Sequence, residues 1–239
     1  LIILFLTSIY FMLLNFIAVN SNEIIMEKTS HMIPIILTNV KIRAHFLSKL
    51  IIGFVSVLFQ IISSVGIIGL IGYSRYQYDQ GEGIVRLALK FFPINLDSFR
   101  LDELFKLLNL QWSDLNQILV GLGFILIGIF IIQLCILILS SRVKTMEEAA
   151  SIQGPFYFIL LIIYYLALSL NTTQSLSSGL GYTLSFVPIF SMLIMPMRLL
   201  TQHVMLIEIL VSILFSISLI SLILVILYPF YHRGIREEG

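Results

Sequence analysis

Five long apolar runs separated by polar stretches set the pattern of this chain: Leu1 to Val19, Leu50 to Tyr73, Ile118 to Leu139, Pro155 to Leu170 and Val204 to Tyr231. A helix needs about 20 apolar residues, rising about 1.5 Å each, to cross the core of a bilayer. The pattern predicts an all-α fold: a polytopic membrane helix bundle of about five spans, forming one transmembrane domain over residues 1–239. The last run, 28 residues long, exceeds the thickness of the core and is expected to tilt.

A sixth apolar stretch, 179–202, is irregular. It holds Gly179, Gly181, Pro188 and Pro196 and carries Arg198 near its end. A straight span tolerates such prolines poorly. The stretch is read as a re-entrant segment, or an external hairpin, rather than a crossing. On that reading every short loop on one face carries Lys or Arg: 22–49, 140–151 and the tail with Arg233 and Arg236. This agrees with the excess of basic residues in cytoplasmic loops. It predicts a multi-pass protein of the cell membrane with its C-terminus in the cytoplasm.

The polar stretches differ in kind. Asn20 to Lys49 is basic and helical in pattern, with Ile25, Thr29, Met32 and Ile36 along one side. Asn20 and Asn22 are expected to end the first span, and Asn20 with Glu23 has the form of a capped helix start. Pro34 must kink or divide the loop helix, and Thr38-Asn39 reads as a turn. The region 75–117 is the longest polar loop, with five basic and six acidic side chains. Within it Leu101, Leu104, Phe105 and Leu108 predict an amphipathic surface helix on the external side, with Trp112 near the interface.

Composition agrees with the pattern. The chain is 59% hydrophobic and 11% charged, against about 25% charged in soluble domains, and its mean hydropathy is +1.03. The formal net charge of +1 gives no field that would draw nucleic acid. Cys135, alone and inside an apolar run, supplies neither a disulfide framework nor a cysteine metal site. Leu1 lies within an apolar run without an initiator Met, and an upstream part is expected to be missing.

The sequence carries no recognisable catalytic motif. Lys28-Thr29 and Lys144-Thr145 lack the upstream glycines of a phosphate loop, and no H-E-x-x-H or G-x-S-x-G occurs. The four histidines, His31, His45, His203 and His232, are scattered, and Asn171-Thr172-Thr173 is a sequon by pattern alone. The chain is read as no enzyme, with no catalytic, metal or cofactor residues. Glu208 is the one acidic residue within an apolar run, a costly placement, and it forms a candidate intramembrane pair with Arg198. Asn15, Gln60 and Gln133 are embedded amides suited to bonding between helices, and Ser212 with Ser216 is a small-xxx-small pair.

Three stretches carry a resemblance. The segment EKTSHMIPIILTNVKIRAHFLSKLIIG, from Glu27 to Gly53, resembles the first intracellular loop of type-2 ABC exporter permeases, especially the NatB-like sodium-extrusion group. SSRVKTMEEAA resembles their second intracellular loop. VPIFSMLIMPMRLL, with Glu208 and the tail YHRGI, is similar to their C-terminal region. The resemblance implies a permease subunit that moves an ion or small amphipathic substrate outward. ATP and Mg would be bound in a separate ABC ATPase subunit. It also implies a second permease copy or related permease in the bilayer. Residues 22–49 would be the coupling loop, with Glu27, Lys28, Thr29, Ser30, His31 and Thr38 at the ATPase contact. His31 stands where the family often has Arg, Pro34 where it often has Glu, Ser48 where it often has Gly, and Met192 where Pro is frequent. The first two changes remove an ion pair to the ATPase.

Two other classes compete. A secondary transporter or channel would call for midplane charges and internal repeats, of which the sequence shows few and none clear. A membrane sensor or immunity protein without transport would need no ATPase.

Overall fold

The computed structural model describes residues 2–79, 112–143, 145, 147–170 and 172–236. The amphipathic helix expected at 101–108 lies outside these residues, as does Asn171 of the sequon. The described residues form α-helices and no strand: α1 (Ile2–Thr29), α2 (Met32–Asn39), α3 (Ile42–Asp79), α4 (Trp112–Ser140), α5 (Ala149–Ser169), α6 (Thr173–Ser177), α7 (Leu180–Leu184), α8 (Pro188–Thr201) and α9 (Leu206–Arg236). Among the described residues, five stretches are long and apolar enough to cross a membrane: Leu6–Thr29, Ile42–Ile71, Asn116–Ser140, Ala149–Ser169 and Leu206–Ile235.

The chain divides into two compact units, Leu1–Phe54 with Asn116–Gly239, and Val55–Leu115. The described part of the second is the outer length of α3 and the first residues of α4, and in it Gly66 and Gly69 have open space where a side chain would stand. The first unit carries everything that follows.

In that unit α4 is central. Phe124, Ile125, Ile129, Ile131, Ile132, Leu134 and Ile136 to Ile138 are all buried. Its inner half packs with Ile24 of α1, Ile33 of α2, Phe46 and Leu50 of α3, and Tyr231 and Ile235 of α9. Antiparallel registers fix the neighbours. Along α1 and α5, Thr7 meets Tyr164 at 2.9 Å and Asn22 meets Gln153 at 2.9 Å. Along α1 and α3, Glu23 meets Lys49 and Glu27 meets His45. The C-terminal ends of α1, α4 and α9 and the N-terminal ends of α3 and α5 therefore share one end of the unit.

Asn20 does not end the first helix. It is 5% exposed, and its side-chain amide donates back to the Phe16 carbonyl at 2.9 Å, so α1 continues for nine residues beyond it to Thr29. The back-bond satisfies the side chain inside the helix and removes the reason for a stop. The break comes at Ser30 and His31. His31 has φ 54, the left-handed conformation. Pro34 then lies in the first turn of α2, where a helix needs no amide hydrogen and the ring meets no preceding turn. The apolar stripe expected along 25–36 is consequently divided: Ile25 is fully buried in α1, whereas Met32 is 51% exposed on α2.

The 170–205 region folds back on itself. Gln202 donates to the Leu176 carbonyl at 3.1 Å, so the two ends of this excursion lie together. Between them α8 runs antiparallel to α4, with Pro196 against Gly121 and Met192 against Gly128. Pro188 supplies the first residue of α8, a position that suits its fixed φ. With 14 residues α8 is about 21 Å long, short of a bilayer core of about 30 Å. Ser191 to Leu199 are all buried.

Candidate functional site

A charged cluster occupies the shared end, where α1 hands the chain to α2 and α3. Glu23 and Glu27 stand one turn apart on α1, and His45 and Lys49 stand one turn apart on α3. Antiparallel packing sets the two pairs face to face. Lys49 Nζ donates to Glu23 Oε1 at 2.6 Å and to Glu27 Oε1 at 2.5 Å. The His45 ring bridges Glu27 Oε2, 3.2 Å from Nε2, and Tyr231 Oη, 2.8 Å from Nδ1. A carboxylate only accepts, so Nε2 carries the hydrogen toward Glu27, and in the neutral ring Nδ1 accepts from the Tyr231 hydroxyl. Lys49, His45 and Tyr231 are all buried. One network thus ties α1, α3 and the C-terminal turns of α9.

A second layer joins α4 to the same point. Gln133 donates to the carbonyls of Lys49 and Leu50 at 3.1 and 3.0 Å. Lys28, 3% exposed, donates to the Ser141 carbonyl at 2.9 Å. Ser21 and Ser140 share a hydrogen bond of 3.0 Å. Gly234 of α9 packs on Ser141, whose carbonyl oxygen would stand 2.6 Å from any Cβ placed there. The Arg142 guanidinium lies 5.3 Å from the centre of the Phe230 ring. The three segments 22–49, 140–151 and the tail thus meet through direct contacts at one end.

The six residues expected at the ATPase contact separate into two sets. Glu27 and Lys28 turn inward, into the network and onto Ser141. Thr29 and Ser30 spend their hydroxyls on the Met26 carbonyl, at 3.3 and 2.6 Å, and cap the end of α1. Ser30, His31 and Thr38 are exposed. Alongside them Met26, Met32 and Ile35 are 56%, 51% and 69% exposed. A cavity of about 620 Å³ lies here, lined by Glu23, Met26, Glu27, Thr29, Ser30 and Met32.

Arg198 and Glu208 form a second centre, at the opposite end. Arg198 is 3% exposed; it donates from Nη2 to Glu208 Oε2 and from Nη1 to Ser185 Oγ, both at 2.6 Å. Its guanidinium lies 4.7 Å from the Tyr182 ring centre and 5.9 Å from that of Phe186. Ser212 of α9 donates to the Ser185 carbonyl at 3.0 Å. These bonds hold α7, α8 and the start of α9 together. Among the described residues no group of three or more His, Cys, Asp or Glu is placed to hold a metal ion.

His45, Lys49, Tyr231 and Ser141 were not singled out by sequence reasoning. A signal for the first two exists: two acids at i and i+4 near the end of one apolar helix, and two bases at i and i+4 near the start of the next. Tyr231 and the Ser141 carbonyl leave no such trace.

The family model described as ABC-2 family transporter protein matches residues 1–228 of the chain. No curated protein matches it. No solved structure matches it.

Proposed function

The chain belongs to the family of ABC-2 transporter proteins, and we propose that it is the permease subunit of an exporter driven by a separate ATPase subunit. ATP and Mg would be held in that partner, and the permease would work with a second copy of itself or a related chain. The sequence likeness from Glu27 to Gly53 favours the NatB-like sodium-extrusion group, with an ion or small amphipathic molecule as substrate.

The observation that carries the coupling role is the construction around α2. A short helix presents Met32 and Ile35 to the outside, while the two long helices that flank it in the chain, α1 and α3, are joined to each other and to α9 through Glu27, Lys49, His45 and Tyr231. A push on α2 would therefore reach α1, α3 and α9 as one body. The cavity beside Met26 and Met32 gives an apolar partner surface a place to seat. The basic side chains Lys28, Lys41, Arg43, Arg142 and Arg233 all belong to this end, which supports a cytoplasmic position for it and for the C-terminus. The folded-back course of 176–202 and the short length of α8 support a re-entrant segment opening toward the other side.

The test uses the full-length permease and candidate ABC ATPase subunits. Ile35→Asp and Met32→Asp alter exposed side chains and leave the buried network intact. Both variants are expected to lose co-purification of the ATPase while keeping the thermal stability of the parent. Undiminished co-purification would remove α2 from the contact.

A further inference from the structure

A second cavity, of about 470 Å³, opens where α2 gives way to α3, beside the last turns of α9. Leu37 and Val40 form its apolar part; Lys41, Arg43, His232 and Tyr228 supply its polar wall. No carboxylate among the described residues lines it. On α1, Glu23 and Glu27 are engaged with Lys49 and His45, and Glu237 and Glu238, which follow His232 in the sequence, lie outside the described residues. The first intrahelical bond of α3 runs from the His45 amide to the Lys41 carbonyl, so the amides of Ile42 and Arg43 precede any partner within the helix. Two permanent cations and an imidazole line this one space, beside the first turn of α3. That set complements a compact oxyanion with several acceptor oxygens.

Position favours one source for it. Ile42 opens one candidate span and Ile235 closes another, so the cavity sits at the ends of two membrane-length helices. Exposed apolar side chains continue along both from this level: Leu47 and Ile51 on α3, and Ile226 on α9. We propose that the cavity binds the phosphate of an anionic membrane lipid. Lys41, Arg43 and His232 surround the phosphate, and the acyl chains lie along the apolar sides of α3 and α9. A lipid seated there braces the turn between α2 and α3. The assignment does not depend on the ATPase contact.

The test measures lipid retention by the purified full chain, using phosphatidylglycerol and phosphatidylcholine and reading bound lipid by native mass spectrometry. The parent protein is expected to keep one phosphatidylglycerol in preference to phosphatidylcholine. The double variant Lys41→Gln with Arg43→Gln is expected to bind it roughly 30-fold more weakly, at unchanged lipid-free melting temperature. Arg233→Gln removes an exposed charge from the same end outside the cavity and is expected to bind normally. Equal weakening by Arg233→Gln would mean a diffuse charge effect and overturn the site. So would retention of phosphatidylglycerol by the double variant. Displacement of the lipid by millimolar inorganic phosphate would assign the cavity to a soluble anion and overturn the lipid.

Discussion

The Nζ of Lys49 on α3 lies 2.5 Å from Oε1 of Glu27 on α1. It is also 2.6 Å from Glu23, so two carboxylates share one ammonium. Removing a partner from a buried ion pair leaves charge without compensation. Lys49→Met is expected to lower stability by about 3 kcal/mol, the lower part of the range because the Glu23 side chain is 38% exposed. Adding Glu27→Gln to Lys49→Met should recover part of the loss. Denaturant unfolding of the purified protein checks both; an unchanged midpoint for Lys49→Met would dismiss the network as a structural support.

Tyr231 closes the other side of that network. It is fully buried, its hydroxyl 2.8 Å from His45 Nδ1 and its ring centre 4.8 Å from that of Phe46. Tyr231→Phe keeps the ring packing and deletes only the hydroxyl. It strands the buried imidazole nitrogen, at an expected cost of about 1–3 kcal/mol. Tyr231→Leu should cost more, because the edge contact with Phe46 goes too. Equal stability of Tyr231→Phe and the parent would mean that the hydroxyl contributes nothing to the joint between α3 and α9.

Glycines on α4 give a comparison within one helix. A Cβ at Gly128 would collide with the Cβ of Met192 on α8, an atom too close to the backbone to swing aside, whereas a Cβ at Gly123 meets nothing within 4 Å. Gly128→Ala is expected to cost about 1–3 kcal/mol by overpacking. Gly123→Ala is expected to be neutral or to gain up to about 1 kcal/mol of helix propensity. Thermal melting of the two variants side by side decides it, and equal melting temperatures would mean that α8 does not rest on α4 at Gly128.

The same glycines mark how far the sequence could be read. The spans were legible because a bilayer imposes a minimum apolar length, and the described residues include five such helices. Close packing was not legible from composition. Gly66 and Gly69 have open space around them, while Gly53 faces the Gln133 and Asn20 side chains. Asn20 was misread as a helix stop because a cap and a back-bond to the preceding turn use the same short amide. Lys28 shows the deeper limit. Its place in a basic loop suggested an outward contact, yet the continuation of α1 to Thr29 carries it inward to the Ser141 carbonyl. Facing residues on separate helices depend on register, and register is set by side chains from both partners at once.

Arg198 and Glu208 offer the sharpest test of the second centre. The guanidinium makes two hydrogen bonds of 2.6 Å and lies over the Tyr182 ring, so its fork shape as well as its charge is used. Arg198→Lys keeps the charge but cannot reproduce the fork or the stacking, and is expected to lose stability. Glu208→Ala leaves a nearly fully buried cation unpaired, at an expected cost of about 3–5 kcal/mol. Glu208→Gln retains an acceptor oxygen and should fall between the parent and Glu208→Ala. A transport assay separates architecture from substrate handling. If the pair only holds α7, α8 and α9 together, transport per folded molecule stays constant across the three variants while the yield of folded protein falls. A variant that folds at the parent level but transports less would instead make the pair part of the substrate route.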